Sequence, residues 1–321
     1  MNTYKVTLIG PAIVDVLAGP IGDDVFGIGT MPMEEIKLTY GGNAYNEAAA
    51  LSHLGIPVSL ISKVGNDEAG IRLMDQMDSL GIHTDYVIRE NGLATSINIV
   101  LFDQQGERRF LTNPKGSQRR LSEEDIMSAL DFCADIVCFT CMFISPLLDI
   151  GAMTRIFRKI KEKAGRTLVV DMTKAKNGEK LKDMEPLLKY VDYILPNEEE
   201  LHLLSDAATA HGAEELLGLG AGCVIVKQGK NGCTVYHKEG SFKVHAYASE
   251  QAIDTTGAGD CFAAGFLYGL VNHKSLVECV QMANATASCC VECVGATEGI
   301  VSAEEPMRRY ALLHSSEKGV I

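Results

Sequence analysis

In the last third of the chain, Asp254-Thr255-Thr256-Gly257-Ala258-Gly259-Asp260-Cys261-Phe262 sets two glycines and a carboxylate at the start of an apolar helix. That helix is read from Phe262, Phe266, Leu267 and Leu270, whose i, i+4, i+5, i+8 spacing makes one apolar stripe. A helix N-terminus presents unpaired N–H groups and a partial positive charge, which suits a phosphate. Gly257 and Gly259 lack a Cβ, so an anion can approach the peptide groups around Ala258. Asp260 then lies beside the anion as a candidate general base for a hydroxyl attacking phosphorus. Taken alone, the same residues also describe a tight strand-to-helix turn capped by Asp260. A matching substrate site elsewhere in the chain decides between the two.

A second cluster is Gly41-Gly42-Asn43-Ala44-Tyr45-Asn46-Glu47. Two glycines precede a helix whose first turn carries Asn43 and Asn46 on the same face. Amide side chains both donate and accept, which suits the hydroxyls of a neutral sugar; helix capping by Asn43 is the simpler alternative. Asp15 follows the first strand, where parallel sheets place ligand contacts, although an Asp there also forms ordinary turns.

The elements that must position these residues alternate. Strand-like runs at Lys5–Ile9, Val58–Val64, Ile136–Thr140, Thr167–Asp171, Tyr193–Leu195 and Cys223–Lys227 are separated by helical runs. Those helices are read at 44–54, 68–80, 122–132, 149–164, 197–205 and 211–218. Such alternation implies an α/β fold with a mainly parallel sheet and helices on both faces. Residues from about 14 to 40 and from about 94 to 113 interrupt it with strand patterns alone. Ser96–Phe102 and Arg108–Thr112 flank Asp103-Gln104-Gln105-Gly106-Glu107, a hairpin signal. Together they suggest a small β-sheet, a lid over a cleft or a dimer surface, whose strand edges would otherwise stay unpaired.

Lys and Arg total 29 against 42 Asp and Glu, a net charge of −13, which argues against nucleic acid and anionic membranes as partners. The longest apolar run, Ile136 to Leu148, is too short to span a bilayer and contains Pro146. The apolar run from Val6 is broken by Gly10, Pro11 and Asp15, so it reads as a strand and turn. Ten cysteines without a secretion signal read as reduced thiols of the cytoplasm. Cys290 and Cys293 have metal-ligand spacing but no second ligand pair follows them, so small residues packed along a helix is the better reading. Gly10-Pro11-Ala12 after the first strand is not the dinucleotide-binding GxGxxG pattern.

The two glycine clusters resemble the paired signatures of the ribokinase-like (PfkB) carbohydrate kinases, in order and in separation. So do Val64-Gly65-Asn66-Asp67 with Gly70, Gly106-Glu107-Arg108, Pro196-Asn197-Glu198-Glu199-Glu200 and Val226-Lys227-Gln228-Gly229-Lys230-Asn231-Gly232. The resemblance spans essentially the whole chain and implies one three-layer α/β/α kinase domain over 1–321, with a β-sheet lid. It implies Asp260 as the base and Gly257, Ala258 and Gly259 as the anion hole. Sugar contacts are implied at Asp15, Gly41, Gly42, Asn43 and Asn46, and Asn98 on the lid is a further candidate. ATP is implied along Lys227, Gly229 and Gly232, with Asn284 near the adenine. Asn197 and Glu200 match a pair that positions magnesium through water. Potassium is implied at Asp254, the backbone of Thr256, the carbonyls of Cys290, Cys293 and Gly295, and Gly299. The thiols themselves would then be irrelevant.

The departures bear on the acceptor. Asn43, Ala44 and Tyr45 stand where ribose kinases read Lys-Gly-Ala, and Ile144 stands where they carry an acidic sugar contact; a separate departure, Gly299 in place of a Ser, bears on the potassium site. The chain is similar in these respects to uncharacterised bacterial sugar kinases. The resemblance therefore implies a kinase acting on a primary hydroxyl of a monosaccharide or sugar acid, and a homodimer through the lid. A buried Arg108 or Arg109 would suit an acidic sugar, although solvated strand edges are the expectation for both. A nucleoside acceptor, walled by Tyr45, Phe102 and Phe143, is the alternative. A non-catalytic sugar-binding homologue would be expected to have lost Asp260 or a glycine of the hole.

Overall fold

Short aliphatic and β-branched runs form the strands, and the charged residues fall between them or on their edges. The computed structural model describes residues 4–317 apart from 23, 24, 26, 28, 105–107, 176, 177, 206, 207 and 250. In chain order the first strands are β1 (Val6–Ile9), β2 (Ile13–Gly19), β3 (Glu35–Gly41), β4 (Val58–Gly65) and β5 (His83–Glu90). They are followed by β6 (Ile97–Phe102), β7 (Arg108–Thr112), β8 (Ile136–Met142) and β9 (Thr167–Met172). The last are β10 (Tyr193–Leu195), β11 (Cys223–Lys227), β12 (Cys233–His237) and β13 (Gly240–Val244).

Among the described residues these make two sheets. The larger has nine strands in the order β13-β12-β11-β10-β9-β8-β1-β4-β5. It is parallel from β11 to β5, and β12 and β13 add an antiparallel edge. Side chains along one strand alternate between its faces. Val169 joins Leu8, Leu60 and Ile225 in the core under helices Asn43–His53, Ala258–Val271 and Leu276–Cys290. Leu168 and Val170 join Ile61, Phe139 and Val224 in the opposite core, under helices Glu123–Ala129 and Ile150–Glu162. The expected three layers follow from that alternation.

The sequence pattern misses β5, β12 and β13. β5 and β13 are the two edges of the sheet, where one side is open and polar residues such as His83, Asp85 and Lys243 interrupt the apolar run. No helix among the described residues is long and apolar enough to cross a membrane.

The smaller sheet, β3-β2-β6-β7, is the lid expected from the two helix-free stretches. β6 and β7 pair antiparallel from Asn98 opposite Thr112 to Phe102 opposite Arg108, as the hairpin signal predicts. Gln105, Gly106 and Glu107 of its turn lie outside the described residues.

Asp67 ties this lid to the main sheet. It caps helix Glu68–Ser79 by accepting from the Gly70 N–H at 2.8 Å. Its carboxylate also accepts from the Thr95 N–H at 2.8 Å and the Thr95 hydroxyl at 2.6 Å, two residues before β6. The same hydroxyl oxygen accepts from Gly65 N–H at the end of β4. One carboxylate thus fixes a helix start and the root of a lid strand. Asp67→Ala should lower the unfolding free energy by about 1–3 kcal/mol, because it removes a cap and orphans buried donors. Urea denaturation checks this, and an unchanged midpoint would contradict the role.

Candidate active site

The helix Ala258–Val271 starts as its sequence requires. Gly257, at its N-cap, has φ +74, and a Cβ there would lie 2.3 Å from the Ala296 carbonyl oxygen, so no larger residue fits. No side chain caps this helix start, which leaves its first-turn N–H groups for an anion. A Cβ on Gly259 would meet little besides Lys227 Nζ, at 3.5 Å, so the cradle opens onto that ammonium.

Asp260 lies in this first turn, buried, with the Asn46 amide donating to Oδ2 at 2.7 Å and Asn43 also bonded to it. Helix Asn43–His53 therefore faces the base with the two amides that share its first turn. Around Asp260 stands a dense charge cluster. Lys227, at the end of β11, donates to Asp171 Oδ1 at 2.7 Å, and Asp171 is on β9, three strands' ends meeting where β10 separates them. Carboxylate oxygens of Glu47, Asp171 and Asp260 lie within 4.8 Å of one another.

These surroundings set the protonation states. Burial raises the Asp260 carboxyl, the Asn46 amide opposes it and the Asp171 charge adds to it, leaving Asp260 at about 7. Burial also lifts Glu200 to about 7 against the pull of Lys227. Burial, then the charges of Asp171 and Asp260, holds Glu47 well above the usual carboxylate range. Its Oε2 accepts from the Cys138 thiol at 3.2 Å, and its buried Oε1 has no partner. For Lys227, burial favours the neutral amine, but Asp171 and Glu200 outweigh it and keep the ammonium charged.

Asn197 and Glu200 come together as a capping box on helix Glu198–Leu204. Glu200 N–H donates to Asn197 Oδ1 at 2.8 Å and Asn197 N–H donates to Glu200 Oε2 at 2.7 Å. Both line the same cavity as Lys227, Asp171 and Asp260. A hard divalent cation fits this donor set: the carboxyls of Asp171, Glu200 and Asp260 line the cavity and outnumber the ammonium groups of Lys227, already paired with Asp171, and Lys230. The cavity measures about 610 Å³, and its lining also includes Asn43, Gly229, Gly232, Tyr247, Asn284 and Val291. Asn284 is held in that lining by donating to the His245 carbonyl at 3.3 Å.

On the lid side, Asp15 of β2 and Asn98 of β6 sit opposite each other in register, and the Asn98 amide donates to Asp15 Oδ1 at 2.9 Å. A Cβ on Gly41 would fall 2.2 Å from Asp15 Oδ2, so the glycine makes room for that carboxylate. Burial lifts Asp15 to about 6, while Asn98 and Arg108 hold it down. The buried Oδ1 atoms of Asn46 and Asn98 have no partner in the protein.

Three expectations need correction. Arg108 is not a solvated strand edge: it donates to Asp254 Oδ2 at 2.5 Å, with both side chains largely buried. Arg109, its neighbour on β7, is exposed as expected. The thiols are not idle either, since Cys290 Sγ lies 3.2 Å from both the Thr256 and Ala296 carbonyl oxygens and its one S–H donates to one of them. Tyr45 and Phe143, offered as walls for a base, belong to the two buried cores. Asp171 and Glu47 were missed. Asp171 carried one signal, a carboxylate at the C-terminal end of a parallel strand. Glu47 carried another, a charge amid the alanines of an otherwise buried helix.

A family model for pfkB family carbohydrate kinases matches residues 5–303. An uncharacterised sugar kinase of Archaeoglobus fulgidus is 35% identical over 253 residues, covering 78% of this chain and 97% of that protein. An ATP-dependent ribose-1-phosphate kinase of Halopiger xanaduensis is 32% identical over 248 residues, covering 76% of this chain and 78% of that protein. Among solved structures, Arabidopsis thaliana ribokinase complexed with ribose and ATP has the same fold, with a TM-score of 0.79 at 23% identity over 96% of this chain and 98% of that one. With both glycine signatures, the lid and the buried carboxylate–lysine cluster in place, the chain belongs to the pfkB family of carbohydrate kinases.

Proposed function

We propose that this protein transfers the γ-phosphoryl group of ATP to a primary hydroxyl of a neutral monosaccharide, within one kinase domain over 1–321 whose lid is formed by about 14–40 and 94–113. The observation that carries the reading is Asp260: a buried carboxylate held by Asn46 at an uncapped helix start, at the end of a nucleotide-sized cavity. Ionised Asp260 takes the proton of the attacking hydroxyl. The N–H groups at Gly257, Ala258 and Gly259 face the charge that develops on the transferred group. Lys227 supplies a fixed positive charge beside them, and Asp171 holds its ammonium in place. Asn197 and Glu200 would hold magnesium through water. When bound, magnesium offsets the phosphate charge.

The choice of a neutral sugar over a sugar acid rests on the pocket's chemistry. Asp15 and the unpartnered Oδ1 atoms of Asn46 and Asn98 are all acceptors, which want hydroxyl donors and repel a carboxylate. Arg108, the cation that would have paired with an acid, is already committed to Asp254. A nucleoside acceptor has less support, because Tyr45 and Phe143 are buried in the cores. A monovalent cation is not part of this reading, since Asp254 and the Thr256 carbonyl already bind Arg108 and the Cys290 thiol.

The reading extends to assembly. Leu38, Val16, Ile99 and Leu111 are consecutive partners across the lid and so share one face. Leu38, Ile99 and Leu111 are exposed there, with Ile36 and Ile97 beside them. An apolar sheet face of this kind fits a second copy of the chain. The free thiols of the described cysteines suit the reducing cytoplasm.

Three outcomes are expected. Asp260→Asn should lower kcat by at least about a hundredfold while ATP binding by calorimetry stays near wild type. A variant with most of its activity would remove the base assignment. Second, kcat/KM for the acceptor should fall as pH drops below about 7, because the base acts only when ionised and burial has moved its titration up. Asp15, at about 6, should then add a second proton to the limb. A flat profile between about pH 5 and about pH 8 would contradict both. Third, the wild type should sediment as a dimer and Leu38→Lys with Ile99→Lys as a monomer. A monomeric wild type would refute the lid interface.

A further inference from the structure

The segment that leads into the anion hole is held by contacts to several of the groups that a resident monovalent cation would need. Both carboxylate oxygens of Asp254 are occupied: Oδ2 accepts from Arg108 Nη2 at 2.5 Å and from Gly295 N–H at 2.8 Å, and Oδ1 accepts from Thr256 N–H at 3.0 Å. The side chains of Arg108 and Asp254 are 14% and 9% exposed, so the pair is shielded from solvent. The nearby carbonyls are engaged as well. The single S–H of Cys290 lies within reach of the Thr256 and Ala296 carbonyl oxygens, 3.2 Å from each, and donates to one of them; Ala296 O also accepts the Cys261 thiol, and Cys290 O accepts Cys293 N–H. Gly299 has no side-chain oxygen to offer, and a Cβ there would fall 2.2 Å from the Cys289 carbonyl oxygen.

We propose that the Arg108 guanidinium is the built-in counter-ion of Asp254, taking the place of a monovalent cation, and that it joins the lid to the anion-hole loop as a positioning residue for phosphoryl transfer. Two charges of the same sign cannot share so small and dry a site, so a bound guanidinium excludes potassium. The pairing also spans two separate elements. Arg108 belongs to β7 at the edge of the lid, whereas Asp254 is three residues before Gly257. With the lid down, the buried carboxylate is neutralised and the loop is fixed through Thr256. With the lid up, Asp254 keeps only N–H partners and loses its counter-charge. Completion of the hole is thereby tied to lid closure, which also brings Asp15 and Asn98 to the acceptor.

The proposal rests on the kinase reading, and the test separates the two. ADP release is measured with a panel of monosaccharides in potassium chloride and in tetramethylammonium chloride at equal ionic strength, and melting temperatures are measured in the same salts. Wild-type rates should differ by less than about twofold between the salts, and its melting temperature should show no potassium-specific rise. Arg108→Gln should lose about tenfold or more in kcat in tetramethylammonium and recover part of it in potassium, with a potassium-specific rise in melting temperature. Arg108→Lys, which keeps a cation, should retain more activity than Arg108→Gln. Wild-type activation by potassium of about tenfold, or an Arg108→Gln variant as fast as wild type, would overturn the proposal. If no sugar in the panel releases ADP, the acceptor reading fails. The melting temperatures then decide the counter-ion question alone, and a potassium-specific rise in the wild type would refute it. An Arg108→Gln variant too unstable to assay leaves the wild-type salt comparison and Arg108→Lys to decide.

Discussion

The site depends on one buried ammonium. Lys227 pairs with Asp171 and lies close to Glu200 and Asp260, with Glu47 completing the group of carboxyls around it. A single cation cannot balance so many carboxylates in a dry interior, so some of them must hold their protons. Glu47 is fully buried, and burial with the charges of Asp171 and Asp260 pushes it well up toward the neutral acid. Asp171 is held by its direct contact with Lys227. Asp260 and Glu200 are left at about 7, and for Asp260 that places the switch between acid and proposed base near neutral pH. The parallel sheet makes this cluster affordable, because β9 and β11 both end there and their main chains are already paired.

The lid supplies what the main domain lacks. Its inner face carries Asp15, Asn98 and Arg108, and its outer face is apolar. The alternation of a strand forces that division: a residue and its neighbour must face opposite ways. Arg108 and Arg109 illustrate it, one buried in an ion pair and the other exposed. The two sheets meet through a few fixed points, of which the Asp67–Thr95 contacts lie at the lid's root and the Arg108–Asp254 contact at its tip. In the proposed mechanism, lid position, counter-charge and acceptor contacts are parts of one movement.

Much of this is legible in the chain itself. The alternation of strands and helices, the helix-free stretches of the lid, and the glycines that bracket Ala258 all have local causes: hydrophobic period, turn chemistry and the steric needs of a helix start. Asp260, Asn46 and the Asn197–Glu200 pair each sit in a short motif, and only the spacing within a motif, Asn43 to Asn46 or Asn197 to Glu200, is a property of one helical turn. The edge strands β5 and β13 were not legible, because a half-covered strand carries no clean apolar pattern.

The sequence by itself determined the family and the fold class, the first from short contiguous motifs and the second from the alternation of strands and helices along the chain. Only the tertiary structure decided which distant groups share a charge. Glu47 and Asp171 join Asp260 across 213 and 89 residues of chain, and Arg108 reaches Asp254 across 146. Ion pairs and shifted protonation states depend on distance and burial in space, and neither can be read from spacing along the chain.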